Sequence, residues 1–401
     1  DLHKAIRRQR QMCIRDSMVT ASHNPSKYNG YKVYGADGCQ ITTKAADAIL
    51  AEIEKLDLFD DVKRVSFKEA LNVNKVSYIS DRVYDDFIEE VKKQSLLSDD
   101  LAINKDVSIV YTPLNGTGLK PVLRALKESG YTNITVVKEQ EQPDGYFTTC
   151  PYPNPEIKEA MELGIAYAKK CNADLLLATD PDCDRVGIAV KNKQGEHVLV
   201  TGNEVGMLLL DYICSRRIAM ETMPEDPVAV KTIVTIDMAE RIAEHYGYLS
   251  GGYVRDKDAV NGAFLICEMF AYYAALGISL LDKLNELYEQ YGYCLNTLHS
   301  YEFEGAAGFD KMQRIMADFR AGITSFAGKK VIKCNDYKEG VDGLPKSDVL
   351  KYFLEDHCSV VVRPSGTEPK LKTYISVSAE NREKAVMVEQ DIACELERKM
   401  K

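Results

Sequence analysis

Short apolar runs alternate with amphipathic segments through the middle of the chain. The runs VSIVY (107–111), ITVVK (134–138) and DLLLA (174–178) have the length and apolar content of buried strands. Segments with helical spacing of apolar residues occur between these runs. Strands separated by helices predict a mixed or parallel sheet with helices packed on it.

Polar start signals and apolar spacing predict the helices. Asn154-Pro155 begins a helix that reaches about Lys170, and Ser80 caps a helix from Asp81 to about Gln94. A separate α+β domain is predicted at the end of the chain. The other predicted elements are a strand, turn and strand from Met18, helices over 45–55, from 119, over 203–214 and over 309–320, strands VGIAV and HVLV joined by the turn KNKQG, a weaker α/β repeat over about 228–297, and strands near 331, 359 and 373.

Composition limits the class of protein. A chain of 401 residues with 45% apolar and 28% charged residues is ordinary for a globular protein of two to four domains. The net charge of −10 argues against nucleic acid or an anionic membrane as the main partner, and no apolar run approaches the roughly 20 residues of a membrane span. The 11 cysteines form no C-x-x-C pair, which predicts reduced thiols in the cytoplasm.

The first 17 residues, DLHKAIRRQRQMCIRDS, are basic and show no clean period. They are either a basic surface arm or a non-native leader. We take them as a leader and leave them out of the fold prediction.

The loop TDPDCDR follows the third apolar run and carries three alternating acids. In an extended segment the carboxylates of Asp180, Asp182 and Asp184 would project to one side, and their repulsion calls for a cation. Carboxylate oxygens suit Mg²⁺ or Ca²⁺, and ligands bind beyond the carboxyl ends of strands in open α/β sheets. An EF-hand is excluded, because Arg185 and Lys191 stand where Gly and Glu are needed. A solvated acidic turn that binds no metal is the alternative interpretation.

The loop RPSGTEPK (363–370) lies between two apolar runs near the C-terminus. Two hydroxyls, a glycine that permits close backbone approach, and the flanking Arg363 and Lys370 form a pattern that holds phosphate. A hairpin turn with cationic flanks is the alternative.

The segment TASHNP (20–25) places Ser22 beside His23, with Lys32 ten residues past the serine. Ser22 is a candidate nucleophile, His23 a candidate acid, base or hydrogen-bond donor, and Lys32 a charge for a phosphate. Alone the pair is a weak signal, because neighbouring side chains in a strand point opposite ways. Together with an acidic metal loop and a phosphate loop, it indicates phosphoryl transfer through a phosphoserine.

These three loops, in this order, resemble the α-D-phosphohexomutase family, which includes phosphoglucomutases and phosphomannomutases. The resemblance runs from about Met18 to the C-terminus, and the run KYNGYKVYGADGCQIT is most similar to the bacterial phosphoglucomutase branch. It implies a multi-domain α/β protein, with three related α/β domains and a C-terminal α+β domain around a central cleft. We therefore expect domains over 18–96, 97–220, 221–297 and 298–401.

The resemblance also implies roles for residues. Ser22 would carry the phosphoryl group with His23 and Lys32 as catalytic neighbours, and Asp180, Asp182 and Asp184 would hold Mg²⁺ together with that phosphate. The implied reaction interconverts glucose 1-phosphate and glucose 6-phosphate, with glucose 1,6-bisphosphate as intermediate and activator; phosphomannomutase and phosphopentomutase are alternatives within the family. The implied substrate-binding residues are Arg185, Arg255, Lys257, Arg363, Ser365, Gly366, Thr367 and Lys370.

Two departures from the family pattern are visible. The family has a substantial part of its first domain before TASHNP, including an arginine, where this chain has its leader. Its sugar-recognition loop G-[FY]-E-E-S-x-G is also missing, because AERIAEHYG runs directly into YLSGGYVRDKDAV, which predicts an internal deletion near 247/248. The nearby Glu268-Met269 pair lies within AFLICEMFAYY and is predicted on the surface of a helix.

Two other classes of protein remain open. Asp182-Cys-Asp184-Arg-Val186 fits the D-x-D-x-[TV] pattern of phosphatases with an aspartyl nucleophile, although that function leaves TASHNP and RPSGTEPK unexplained. A sugar-phosphate-binding protein without catalytic activity is the other alternative.

Overall fold

The computed structural model of the chain describes residues 16–57, 59–98, 102–225, 257–303, 305–341, 344, 346–365 and 370–400. The chain divides into two compact units. The first comprises residues 1–202 and 250–279, and the second comprises 203–249 and 280–401.

The first unit is built on a five-stranded mixed sheet. Its described elements are β1 (Asp16–Val19), β2 (Tyr31–Tyr34), α1 (Thr43–Ile53), α2 (Phe67–Asn72), α3 (Asp81–Lys92), β3 (Ile109–Thr112), α4 (Leu119–Glu128), β4 (Ile134–Val136), α5 (Lys158–Cys171), β5 (Leu175–Thr179), β6 (Val186–Lys191), β7 (His197–Val200) and α7 (Ala259–Ala275). The strand order is β4-β3-β5-β6-β7. Strands β4, β3 and β5 are parallel, and β5, β6 and β7 are antiparallel, which confirms the prediction of a mixed sheet.

The apolar runs explain this sheet. All residues of β3 and β5 are buried, as expected for strands covered on both faces. Helix α5 packs Met161 and Ala168 against Val110 and Leu176 of these strands. In contrast, β1 and β2 form a separate two-stranded antiparallel sheet.

The second unit contains a six-stranded antiparallel sheet. The described elements of the unit are α6 (Gly202–Ala219), α8 (Leu280–Tyr291), β8 (Tyr293–Glu302), α9 (Gly305–Arg320), β9 (Ser325–Phe326), β10 (Lys329–Asp336), β11 (Leu350–Leu354), β12 (Ser359–Pro364), β13 (Lys370–Ala379) and α10 (Arg382–Met400). The strand order is β8-β13-β12-β11-β10-β9. Helices α9 and α10 contribute Met316, Phe319 and Ile392 to a core with Val360 and Ile375 of the sheet. The predicted α+β segment is therefore present.

Several elements begin or end at residues other than those predicted. Helix α5 begins at Lys158 rather than at Asn154-Pro155, because the Asn154 side chain accepts a hydrogen bond from the backbone N–H of Glu156 and forms a turn instead. Ser80 is the N-cap of α3 as predicted, but its side chain makes no capping hydrogen bond. Strand β8 crosses the predicted boundary at 297/298, and the part of the predicted repeat over 228–256 lies outside the described residues.

The prediction for Glu268 was wrong. Its side chain is 1% exposed and lies inside the first unit. Ser95 Oγ donates a hydrogen bond to one carboxylate oxygen at 2.5 Å, and the backbone N–H of Leu96 donates to the other at 2.6 Å. These two donors make burial of a charged group possible.

Among the described residues, no single helix is long and apolar enough to cross a membrane. Helices α7 and α8 reach that length and composition only when they are taken together across a bend.

Candidate active site

The acidic loop connects β5 to β6 at the carboxyl end of the parallel strands. Thr179 pairs with Val186 in the antiparallel ladder, so residues 180–185 form a tight connection. The loop is a turn rather than the predicted extended segment, because Cys183 adopts a left-handed conformation with φ of 57°. Asp180 Oδ1 accepts hydrogen bonds from the backbone N–H groups of Asp184 (3.0 Å) and Arg185 (2.9 Å), which holds the turn closed.

This turn brings the three predicted carboxylates together. One oxygen from each of Asp180, Asp182 and Asp184 lies within 4.8 Å of the others. Asp180 is fully buried, and this burial together with the neighbouring Asp182 raises its pKa to about 7. Asp182 Oδ1 and Asp184 Oδ1 are buried and have no hydrogen-bond partner among the described residues. The cluster therefore needs positive charge.

Two lysines supply part of that charge. Lys32 Nζ donates to Asp182 Oδ2 at 3.0 Å and to Asp184 Oδ2 at 2.9 Å. Lys257 Nζ lies 3.1 Å from the same oxygen of Asp184. Partial burial lowers the pKa of Lys32, but its bonds to Asp184 and Asp182 outweigh that effect and raise the pKa above its ordinary value. Burial likewise opposes the lowering of the Asp184 pKa that Lys32 and Lys257 produce.

The TASHNP segment forms a tight turn directly above these carboxylates. Ser22 has a left-handed φ of 53°, which is unfavourable for a residue other than glycine. Its hydroxyl donates to Asp180 Oδ2 at 3.1 Å and lies 3.1 Å from His23 Nδ1. The neighbouring side chains of Ser22 and His23 meet because they stand in a turn and not in a strand.

Thr20 connects the two loops, and no pattern in the sequence indicated its role. Its hydroxyl accepts a hydrogen bond from the backbone N–H of Ser22 at 2.8 Å and donates to Asp182 Oδ2 at 3.2 Å. The backbone N–H of Thr20 also donates to the carbonyl of Gly30, which closes the base of the turn.

A further loop, TPLNGTG (112–118), packs against the acidic turn. A Cβ atom on Gly116 would lie 2.3 Å from Pro181 Cα, so only glycine permits this approach. Both the backbone N–H and the hydroxyl of Thr117 donate to the Pro181 carbonyl. The glycines of this loop were visible in the sequence, but their partner was not.

A cavity of about 450 Å³ opens beside Ser22 and Asp182. Asn24, Asn115 and Gly145 also line it. The candidate nucleophile is therefore accessible to a small molecule.

The remaining predicted site residues fall into three groups. Arg185 lies beside the acidic loop, where its Nη1 is 3.3 Å from Glu156 Oε1. In the second unit, Arg363 is the penultimate residue of β12 and Lys370 is the first residue of β13, and the Ser365 N–H donates to the Lys370 carbonyl beside the paired ends of the two strands. Lys370 Nζ is paired with Glu302 at 3.1 Å. Arg255, Gly366 and Thr367 lie outside the described residues.

Two family models match the chain. Residues 5–59 match the model described as phosphoglucomutase/phosphomannomutase alpha/beta/alpha domain I, and residues 85–195 match alpha/beta/alpha domain II. The first match contains the Ser22 turn, and the second contains the acidic loop.

Curated relatives match over most of the chain. A phosphoglucomutase of Staphylococcus saprophyticus is 31% identical over 91% of this chain and 73% of its own length. A phosphoglucomutase of Staphylococcus haemolyticus is 31% identical over 94% of this chain and 75% of its own length.

Solved structures agree on the fold. Parafusin, a Paramecium phosphoglucomutase, superposes with a TM-score of 0.64 at 15% identity and covers 99% of this chain and 79% of its own. A phosphoglucomutase/phosphomannomutase family protein from Burkholderia thailandensis gives a TM-score of 0.59 at 19% identity, over 96% and 76% of the two chains. An Aspergillus fumigatus N-acetylphosphoglucosamine mutase, solved with GlcNAc-6P and magnesium, gives 0.54 at 13% identity, over 100% and 93%.

Proposed function

The chain belongs to the phosphoglucomutase/phosphomannomutase family, and we propose that it interconverts glucose 1-phosphate and glucose 6-phosphate through a phosphoserine at Ser22. In the proposed cycle, phosphorylated Ser22 gives its phosphoryl group to the free hydroxyl of the sugar phosphate. The resulting glucose 1,6-bisphosphate turns around, and Ser22 takes back the other phosphoryl group. Glucose 1,6-bisphosphate would also activate the enzyme by phosphorylating it.

The single observation that carries this proposal is the position of the Ser22 hydroxyl. It lies 3.1 Å from both His23 Nδ1 and Asp180 Oδ2, so two groups can take its proton when the oxygen bonds to phosphorus. Ser22 also lines a cavity through which a sugar phosphate could approach it. No other hydroxyl of the turn has both features.

The charges around Ser22 fit a phosphoryl group. The ammonium groups of Lys32 and Lys257 contact the neighbouring carboxylates. Both ammonium groups would therefore lie close to a phosphoryl group on Ser22. In the proposal, Lys32 offsets the negative charge that grows on the transferring group.

The donor set also fits Mg²⁺. Three carboxylates converge, and two of their buried oxygens lack a hydrogen-bond partner among the described residues, which is how a metal site with hard oxygen ligands presents itself. Asp180, Asp182, Asp184 and the Ser22 phosphoryl group would hold the ion. When bound, it would neutralise charge on the transferring phosphoryl group.

The other phosphate of the substrate would be held by the segment RPSGTEPK (363–370) of the second unit. We assign Arg363, Ser365, Gly366, Thr367 and Lys370 to this task, with Arg185, Arg255 and Lys257 as further contacts. Because this contact orients the sugar without touching the reacting bond, Arg363→Ala should slow both directions of the reaction by about 10²-fold or more and leave Mg²⁺ affinity unchanged. Unaltered sugar-phosphate affinity with collapsed metal binding would reverse the assignment.

The relatives and the composition support the proposed substrate and compartment. The names of the staphylococcal relatives indicate glucose phosphates as substrates. Mannose and pentose phosphates are the alternative substrates that should be assayed beside them. The ten cysteines among the described residues are all free thiols, in keeping with a reducing compartment such as the cytoplasm.

A coupled assay tests the function. The chain should convert glucose 1-phosphate to glucose 6-phosphate with Mg²⁺ and catalytic glucose 1,6-bisphosphate. Ser22→Ala should abolish the reaction, whereas Ser80→Ala, which removes an exposed hydroxyl that makes no capping hydrogen bond, should retain it. Release of inorganic phosphate that survives Ser22→Ala would indicate an aspartyl-nucleophile phosphatase. Sugar-phosphate binding without turnover in the parent chain would indicate a binding protein.

A further inference from the structure

Two lysines contact a small set of carboxylate oxygens within the acidic triad. Lys32 Nζ bonds one oxygen of Asp182 and one oxygen of Asp184, and Lys257 Nζ contacts that same Asp184 oxygen. The other oxygens of the two aspartates are buried and have no hydrogen-bond partner among the described residues. A cation that uses Asp182 and Asp184 therefore meets an ammonium group already bonded to both.

The charges of the cluster set Lys32 and a bound cation against each other. Several positive groups surround the carboxylates: besides the two lysines, Arg185 Nε lies 3.9 Å from Asp184 Oδ1, in a site where Asp180 is fully buried. Like charges repel strongly at such distances when little water lies between them. A divalent cation on the carboxylates of Asp182 and Asp184 would lie close to the Lys32 ammonium whether it used the Oδ2 atoms that Lys32 contacts or the unpartnered Oδ1 atoms, and the two positive charges would repel.

We propose that Lys32 competes with the divalent cation for Asp182 and Asp184, so that metal binding releases its ammonium group. The released ammonium is then available to a phosphoryl group on Ser22. Metal loading and the freeing of the catalytic lysine are thereby one event. This inference rests on the metal site of the proposed function, and it assigns to Lys32 a second task that its role beside the phosphoserine does not require.

The structure predicts a rank order between the two lysines. Lys32 contacts both Asp182 and Asp184 and its side chain is 20% exposed, whereas the Lys257 side chain, which contacts Asp184, is 57% exposed. Solvent screens the more exposed charge. Removal of the Lys32 charge should therefore strengthen cation binding more than removal of the Lys257 charge.

Direct titration with Mn²⁺, followed by the electron paramagnetic resonance signal of the free ion, tests the competition without any catalytic assay. Lys32→Met should bind Mn²⁺ about tenfold more tightly than the parent chain, and Lys257→Met a few-fold more tightly. Lys32→Arg keeps the positive charge and should bind like the parent chain. Lys27→Met removes an exposed lysine of the same turn and should also change nothing.

Asp182→Ala provides the baseline for weak binding elsewhere on this acidic chain, and circular dichroism shows whether each variant is folded. Equal or weaker Mn²⁺ binding by folded Lys32→Met, with normal binding by the parent chain, would overturn the competition and leave the metal site standing. Binding no stronger than the Asp182→Ala baseline in the parent and in every lysine variant would overturn the metal site and the competition together.

Discussion

Two regions of the first unit supply the candidate active site, and they are built differently. Among the described residues 16–79, Ala70 is the only buried apolar residue, and thirteen large apolar side chains are exposed. Residues 102–200 have only three exposed large apolar side chains and contain the fully buried strands β3 and β5. The acidic loop thus stands on a well-packed core, whereas the Ser22 turn does not.

This difference shows where the geometry of the serine comes from. Described contacts tie the turn to the acidic loop: Thr20 to Asp182, Ser22 to Asp180, and Lys32 to Asp182 and Asp184. With so little core of its own, the serine region depends on the carboxylates for its position. The acids would therefore both bind the cation and hold the nucleophile in place.

The largest effect is expected from Asp182→Asn. The change keeps the shape of the side chain but removes a charge that Lys32 contacts and that the proposed Mg²⁺ needs. Turnover should fall by about 10²-fold or more, and Mg²⁺ should bind more weakly. Hydrogen exchange should also quicken in residues 16–34 and stay unchanged in β3 and β5. Normal turnover in the presence of a chelator would contradict this expectation.

The fold of the packed region could be predicted well from the sequence because its strands are continuous apolar runs. The proximity of the three aspartates was also predicted, although the turn that Cys183 makes was not. The contacts of Lys32 were missed because its partners lie 150 and 152 residues away, and no local pattern reports a tertiary contact. Glu268 was misplaced for the same reason, since its donors at Ser95 and Leu96 are equally remote in sequence.

A smaller effect is expected on the free energy of unfolding, which should respond differently to truncations in the packed region and in the serine region. Leu176 is fully buried in β5, so Leu176→Ala should lower the free energy of unfolding by about 2–5 kcal/mol. The matched truncation Phe59→Ala, at a side chain that is 86% exposed, should change it by less than about 0.5 kcal/mol. Urea denaturation of both variants gives the comparison. Comparable losses would mean that the serine region has a core of its own.

The smallest of these effects concerns the support behind the acidic loop. An added methyl group at Gly116 collides with the Pro181 backbone, so Gly116→Ala should cost about 1–3 kcal/mol and should weaken Mg²⁺ binding through the displaced turn. Gly145→Ala adds the same methyl group where no atom lies within 4 Å and should be close to neutral. Equal stability and equal metal affinity of the two variants would show that the 112–118 loop does not position the acids.

The most direct test of the account is the location of the transferred phosphoryl group. The chain is incubated with labelled glucose 1,6-bisphosphate and Mg²⁺, digested, and mapped by mass spectrometry. We predict acid-stable label on Ser22 and none in Ser22→Ala. Label on Asp182 that hydroxylamine removes would contradict the account, because the acidic loop would then be the nucleophile and the serine turn its accessory.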